Sequence, residues 1–224
     1  IINKAQWGRE SLPGVKAAEY RLTSNRDGNL PVYTFCMCPG GSVVPATAYE
    51  NLNIVNGMSR YRRNGQFANA ACVAGVHPDK LIGRESGALE VLGWLENLEE
   101  SFYRYSNGFE APFSSIRDFI NRKGPSKIAE TSYPLGLKPA ALWDLLPAEI
   151  SSSIREGLKD FNKKIKGFET GSIMGLESKT SSPIQALREK NGRCAGFENL
   201  YIAGEGSGCS GGIISSAADG VKAA

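Results

Sequence analysis

The chain has 224 residues, 41% of them hydrophobic, which is enough to bury a sizeable core as one large domain or two small ones. Lys and Arg number 26 against 23 Asp and Glu, and the resulting net charge of +3 is too small for nucleic-acid binding by bulk electrostatics. No apolar run approaches a membrane span and nothing resembles a signal peptide, so a soluble, cytoplasmic chain with no membrane partner is expected.

Five cysteines (Cys36, Cys38, Cys72, Cys194, Cys209) form an odd, scattered set with no CxxC pair. That pattern predicts reduced thiols rather than a disulfide framework, and no metal site. The chain starts at Ile1 rather than Met, and is read as a piece of something longer.

In chain order, residues 33 to 76 carry strand-like runs, "YTFCMC", "SVVPA", "LNIVNG" and "ACVAGV". Pro39, Gly40 and Gly41 predict a hairpin turn between the first two. Leu89, Leu92, Leu95, Leu98 and Phe102 recur at helical spacing, and Phe113, Ile116 and Ile120 repeat that spacing in a shorter segment. Pro147 suits a first helical turn, and Ile150, Ile154, Leu158, Phe161 and Ile165 form the clearest apolar stripe. After Gly167 the runs "GSIMGLE" and "NLYIAG" predict strands, and Ile213, Ile214, Ala217, Ala218 and Val221 predict one face of a closing helix. The fold class is therefore mixed α/β, of the α+β kind, with a boundary near residues 166 to 171.

The stretch "IAGEGSGCSGGIISSAADG", residues 202 to 220, fits two motifs at once. Gly206, Gly208 and Gly211 spell the dinucleotide fingerprint G-x-G-x-x-G, while Gly208, Ser210 and Gly212 spell the hydrolase elbow G-x-S-x-G. In α/β-hydrolases the acid and the histidine follow the serine, yet fourteen residues follow Ser210 and the sole histidine, His77, lies far upstream. The dinucleotide unit needs a second parallel strand ending in an acid about 20 residues on, and thirteen residues follow Gly211. What both motifs share is a tight, side-chain-free turn at a helix N-terminus, which attracts negative charge. An anion- or phosphate-binding module without catalysis and a serine hydrolase using Ser210 both stay open on these residues.

Five longer stretches go further: "YTFCMCPGGSVVPA", "VNGMSRYRRNGQFANAACV", "ETSYPLGLKPAALWDLLP", "KKIKGFETGSIMGLESKTSSPI" and "ENLYIAGEGSGCSGGIISSAADGVKAA". In matching order they resemble the C-terminal half of an uncharacterised bacterial family of FAD-dependent, NAD(FAD)-utilising dehydrogenases related to the HI0933-like flavoproteins. The resemblance implies an inserted substrate domain over 1–168, β-rich over about 17–78 and helical over about 86–166. Residues 169–224 would then supply the last strand and helix of a Rossmann-like FAD-binding domain. Members begin with an N-terminal G-x-G-x-x-G that holds the FAD pyrophosphate, and this chain has none before residue 200. The implied protein is thus a fragment of an oxidoreductase, inactive alone, whose partners are its own N-terminal region and a small-molecule substrate.

By the same resemblance, Gly204, Glu205 and Gly206 occupy the terminal flavin motif, with Glu205 bonding the ribityl chain. Gly211, Gly212 and Ile213 would offer backbone N–H groups to the flavin edge, where negative charge gathers on reduction. FAD is the implied cofactor, and NAD(P) follows from the family's description. Glu177, Thr180, Ser181 and Ser182 would run close to the flavin, although a solvated turn is the plain alternative.

Among the remaining residues, Arg60, Arg62 and Arg63 form a basic loop in which Arg63 is a candidate for an anionic substrate, with Asn69 adding an amide contact. Cys36 and Cys38 share one face of a strand, where their separation suits a disulfide poorly. Trp94, Phe102 and Trp143 read as core.

Overall fold

A computed structural model describes residues 2–15, 18–47, 49–124, 127–180, 182 and 184–224. The fold is mixed α/β with open sheets, and its chain divides into two compact units. The first comprises residues 1–77 and 96–177, the second 78–95 and 178–224.

In the first unit a short helix, α1 (Ile2–Trp7), precedes strands β1 (Thr23–Ser24), β2 (Val32–Pro45), β3 (Val55–Met58) and β4 (Phe67–Ala74). All pair antiparallel with β2, which exchanges partners along its length. Residues 32–41 ladder with β4, and Ser42–Pro45 ladder with β3. The hairpin expected at Pro39-Gly40-Gly41 is therefore corrected: these residues lie inside one fourteen-residue strand. Two register shifts, between Phe35 and Cys38 and between Cys38 and Gly41, take up the turn signal as bulges. Gly40 sits at φ 55, where glycine is at ease, and Pro39 has no amide to lose from the ladder.

Helices α2 (Pro78–Ile82) and the first part of α3 (Ala88–Ser106) belong to the second unit, and α3 continues into the first from Glu96. The expected α3 stripe holds at Phe102, which is fully buried, but Leu89 at its start is 81% exposed. A three-stranded sheet follows, ordered β6 (Leu137–Pro139), β5 (Ala111–Ser115), β7 (Ser172–Met174). Helix α4 (Ile116–Asn121) starts directly after β5, so Phe113, expected on a helix, is a strand residue. β5 and β6 run parallel, which a hairpin cannot connect, and α4 lies within the crossover between them. Ser115 caps α4 by accepting from the Asp118 amide at 3.0 Å.

Helices α5 (Leu142–Leu145) and α6 (Ala148–Lys164) complete this unit. Ile154, Leu158 and Phe161 of α6 join Val32, Phe102, Phe119 and Leu142 in the principal core. A second cluster gathers Val55, Phe113, Tyr133 and Leu137. α6 is clamped to β1 and the loop after it by polar groups as well. Asp160 accepts from Ser24 Oγ at 2.6 Å and Arg26 Nε at 2.8 Å, and its other oxygen meets Arg26 Nη2. The Arg26 guanidinium, then the Ser24 hydroxyl, hold the Asp160 carboxyl well below the usual carboxylate range.

The second unit ends in helix α7 (Ile213–Ala223). The "NLYIAG" strand is corrected: only Tyr201 makes a bridge, to Arg193. Among the described residues no strand lies beside the rest of this run, and an unpaired apolar strand keeps no ladder. The expected apolar face of α7 exists in sequence yet faces solvent in this chain, with Ile213, Ile214 and Val221 all at least 80% exposed.

Candidate functional site

Two corners carry polar chemistry, one in each unit. In the second unit the glycine-dense stretch folds as a 3-10 turn over Glu205–Ser207 followed by α7. The backbone there is tightly held. Gly208, at φ 72, approaches Ile184 so closely that a Cβ would lie 2.1 Å from its carbonyl oxygen, and the Ala186 amide donates to Ser207 O at 2.8 Å. Ser207 is fully buried and donates to Gly204 O at 2.6 Å.

Two residues that sequence reasoning missed lock this turn to the helix. Asp219 of α7 accepts from the Gly204 amide at 2.9 Å and from both Arg188 nitrogens, at 2.9 and 3.1 Å. Arg188 also donates to Ile202 O at 3.2 Å. The Arg188 fork, then the Gly204 amide, hold the Asp219 carboxyl below its ordinary value. A signal was present: an acid toward the C-terminal end of a helix opposes the macrodipole and so asks for a specific partner. Arg188 and Asp219, with Gln185, Cys209 and Lys222, also wall a cavity of about 500 Å³.

Beyond these anchors the corner is open. Among the described residues, chain neighbours aside, nothing lies within 4 Å of where a Cβ would stand at Gly206 or Gly211, and Gly212 has only Ser215 Oγ at 3.7 Å. No side chain caps α7, and Gly212 precedes it in extended backbone. The first amides of an eleven-residue helix therefore follow two glycines, with no side chain capping them. Glu205 is exposed in the turn. Uncapped amides at a helix N-terminus favour negative charge. Ser210 has a hydroxyl neighbour, Ser216 Oγ at 3.2 Å, which is no base for a nucleophile. In the same unit Ser182 closes a local turn with Ile184, donating to its carbonyl at 2.9 Å, and Thr180 is partly buried. Ser181 lies outside the described residues.

In the first unit the doubled bulge of β2 sets Cys38 directly opposite Asn69 of β4. Glycines let the backbones close in around this pair. A Cβ at Gly41 would stand 2.4 Å from Met58 O and 2.8 Å from Cys38 Cβ, and one at Gly57 would stand 2.0 Å from Asn69 Oδ1. Both polar atoms of the Asn69 side chain are buried with no hydrogen-bond partner among the described residues, at a cost of about 1–3 kcal/mol for each group left unsatisfied.

Glu177 reaches the same corner because Gly175, at φ 63, lies on Val55 and the Val55 amide donates to Leu176 O at 2.9 Å. The 60–65 loop arrives through Gly40 and Gly65, whose amide donates to Gly40 O at 2.9 Å. Arg63, itself at φ 50, has its backbone carbonyl against Gly40 and its guanidinium paired with Glu19. Burial, then the Glu177 charge, push the Cys38 thiol up, and Arg63 pulls it back. Burial likewise raises the Glu177 carboxyl.

Of the residues singled out from sequence, the first unit thus brings Cys38, Arg63, Asn69 and Glu177 together, while Thr180 and Ser182 fall in the second unit. Cys36 and Cys38 do not form a disulfide: Cys38 Sγ instead donates to the Cys36 carbonyl at 3.3 Å. Phe102 and Trp143 are core residues, with Trp143 edge-on to Phe119 at 6.2 Å.

The family described as FAD-dependent protein, C-terminal domain-like, matches residues 1–180, a span that ends before the glycine corner. A protein of Clostridium beijerinckii described as an uncharacterized protein is 36% identical over 231 residues, covering 100% of this chain and 43% of that protein. The chain spans less than half the length of that relative.

Proposed function

The chain belongs to the FAD-dependent protein C-terminal domain-like family, and from that premise we propose that it is the C-terminal part of an FAD-dependent oxidoreductase, a dehydrogenase inactive without the rest of its polypeptide. The observation that supports this best is the open glycine corner at the uncapped tip of α7. In the intact protein Gly211, Gly212 and Ile213 present their amides to the N1 and C2-carbonyl edge of the flavin. Glu205 bonds the ribityl hydroxyls, and Gly204 and Gly206 allow the backbone to come close. Arg188 and Asp219 act behind them by fixing the turn. FAD, when bound, accepts or gives up a hydride, and the amides stabilise the charge that follows. The pyrophosphate is left to the N-terminal region of the whole protein, and a small molecule is the substrate. A nicotinamide nucleotide as electron partner rests on the resemblance alone.

The test uses a substitution that the chain itself tolerates. Since, chain neighbours aside, no atom of the described residues lies within 4 Å of a Cβ at 211, Gly211→Ala strikes none of them. Gly211→Ala and Glu205→Ala in the intact protein are therefore expected to keep the unfolding midpoint of the FAD-stripped wild type and to lose FAD, read as the ratio of flavin to protein absorbance. An intact wild-type protein that purifies colourless and fails to take up added FAD refutes the reading.

A further inference from the structure

Cys38, Asn69, Arg63 and Glu177 come from four separate stretches of the first unit, and none belongs to its apolar clusters. A thiol and a carboxamide face each other where the β2 ladder is interrupted twice, the Arg63 backbone packs on Gly40 of the same stretch, and the Arg63 and Glu177 charges both act on the thiol. Bulges of this sort re-aim side chains and concentrate beside active sites. A corner serving only the fold would also satisfy its amide, and Asn69 is left with neither polar atom bonded.

Arg63 already carries a carboxylate, that of Glu19, in a pair whose side chains are 36% and 57% exposed. A pair so exposed is weak, so another carboxylate can exchange onto the same guanidinium. We propose that this corner binds a small carboxylate-bearing molecule, its anionic end on Arg63 and the remainder against the Cys38 thiol, the Glu177 carboxyl and the Asn69 amide. Burial raises both the Cys38 thiol and the Glu177 carboxyl, so the charged form of each is disfavoured in the same direction beside an incoming anion. Resting on the oxidoreductase reading, this names the substrate class: a carboxylate of a few carbon atoms.

Two alkylating reagents differing in charge test it on the intact protein. Iodoacetate and iodoacetamide react alike: the thiol gives its proton to solvent, sulfur bonds to the CH2 carbon and iodide leaves. Only iodoacetate brings a carboxylate. The ratio of its rate to that of iodoacetamide, read by peptide mass spectrometry, is expected to be about tenfold higher at Cys38 than at the exposed Cys36 and Cys209, as one charge-assisted contact gives. Arg63→Met is expected to bring the Cys38 ratio down to theirs, and Arg63→Lys to keep part of the preference. Glu177→Gln is expected to speed both reagents at Cys38 by removing a negative charge. An ordinary ratio at Cys38, or a preference that survives Arg63→Met, overturns the proposal. Visible absorption of the same samples separates the two readings: a yellow protein with an ordinary Cys38 ratio sinks this site alone. A colourless one with the preference supports the site and sinks the flavin.

Discussion

Gly157 sits in the middle of α6, where glycine costs a helix about 1 kcal/mol relative to alanine. By propensity alone Gly157→Ala would stabilise the protein by that amount. The structure reverses the sign. A Cβ at 157 would stand 2.6 Å from Val32 Cγ1 and 2.8 Å from Val32 Cβ, and Val32 is 1% exposed in the principal core. A buried β-branched side chain has no other rotamer to retreat into, so β2 and α6 must move apart. Overpacking of this kind costs roughly 1–3 kcal/mol, and subtracting the propensity gain leaves a net loss of about 1 kcal/mol. Urea unfolding followed by circular dichroism reads this as a lower midpoint at unchanged slope. In a Val32→Ala background the 2.6 Å contact with Cγ1 is gone while the Cβ contact remains, and Gly157→Ala is expected to cost less there than in the wild type, with a coupling of about 1 kcal/mol between the two sites. Gly157→Ala stabilising the wild type, or having the same effect in both backgrounds, refutes the claim that close approach to Val32 is why glycine stands there.

Asp160→Asn is expected to lower the unfolding midpoint at pH 7. Because its folded-state pKa is depressed, that stabilisation is present above the unfolded value of about 3.9 and is lost as pH falls through the folded value. The gap between wild type and Asp160→Asn should therefore close in acid, and thermal melts from pH 7 to pH 2 check it. Ser115→Ala removes the cap of α4 and is expected to cost about 1 kcal/mol in urea unfolding, with Ser115→Asp recovering most of it. At the functional corner, the contrast between Gly211→Ala, which spares the fold, and Gly157→Ala, which does not, separates a glycine kept for a ligand from one kept for packing.

Local pattern alone carried α3, α6 and α7, because a 3.6-residue apolar period is written in the residues themselves and needs no partner to be read. It also carried the β-rich start and the mixed α/β class. The shortest strands were hidden. β5 and β6 have five and three residues, and Phe113-Ile116-Ile120 mimics a helical period across a strand-to-helix junction. The Pro39-Gly40-Gly41 signal was real, yet a turn and a doubled bulge draw on the same residue chemistry, and which one forms depends on what pairs alongside.

The sites divide the same way. Glycine spacing marks residues 204–212 as a tight turn without any coordinates, since freedom from a Cβ is a property of the residue, while the flavin reading of that turn and of Glu205 comes from the family resemblance. Only the tertiary structure decided that Gly206, Gly211 and Gly212 face open space while Gly40, Gly41, Gly57 and Gly208 are filled by neighbouring atoms. It alone joined Cys38 to Asn69 and brought Glu177, 139 positions further along, to the same thiol. Long-range pairing is set by strand register and by the shape of the whole core, and neither is stored in any one stretch of residues.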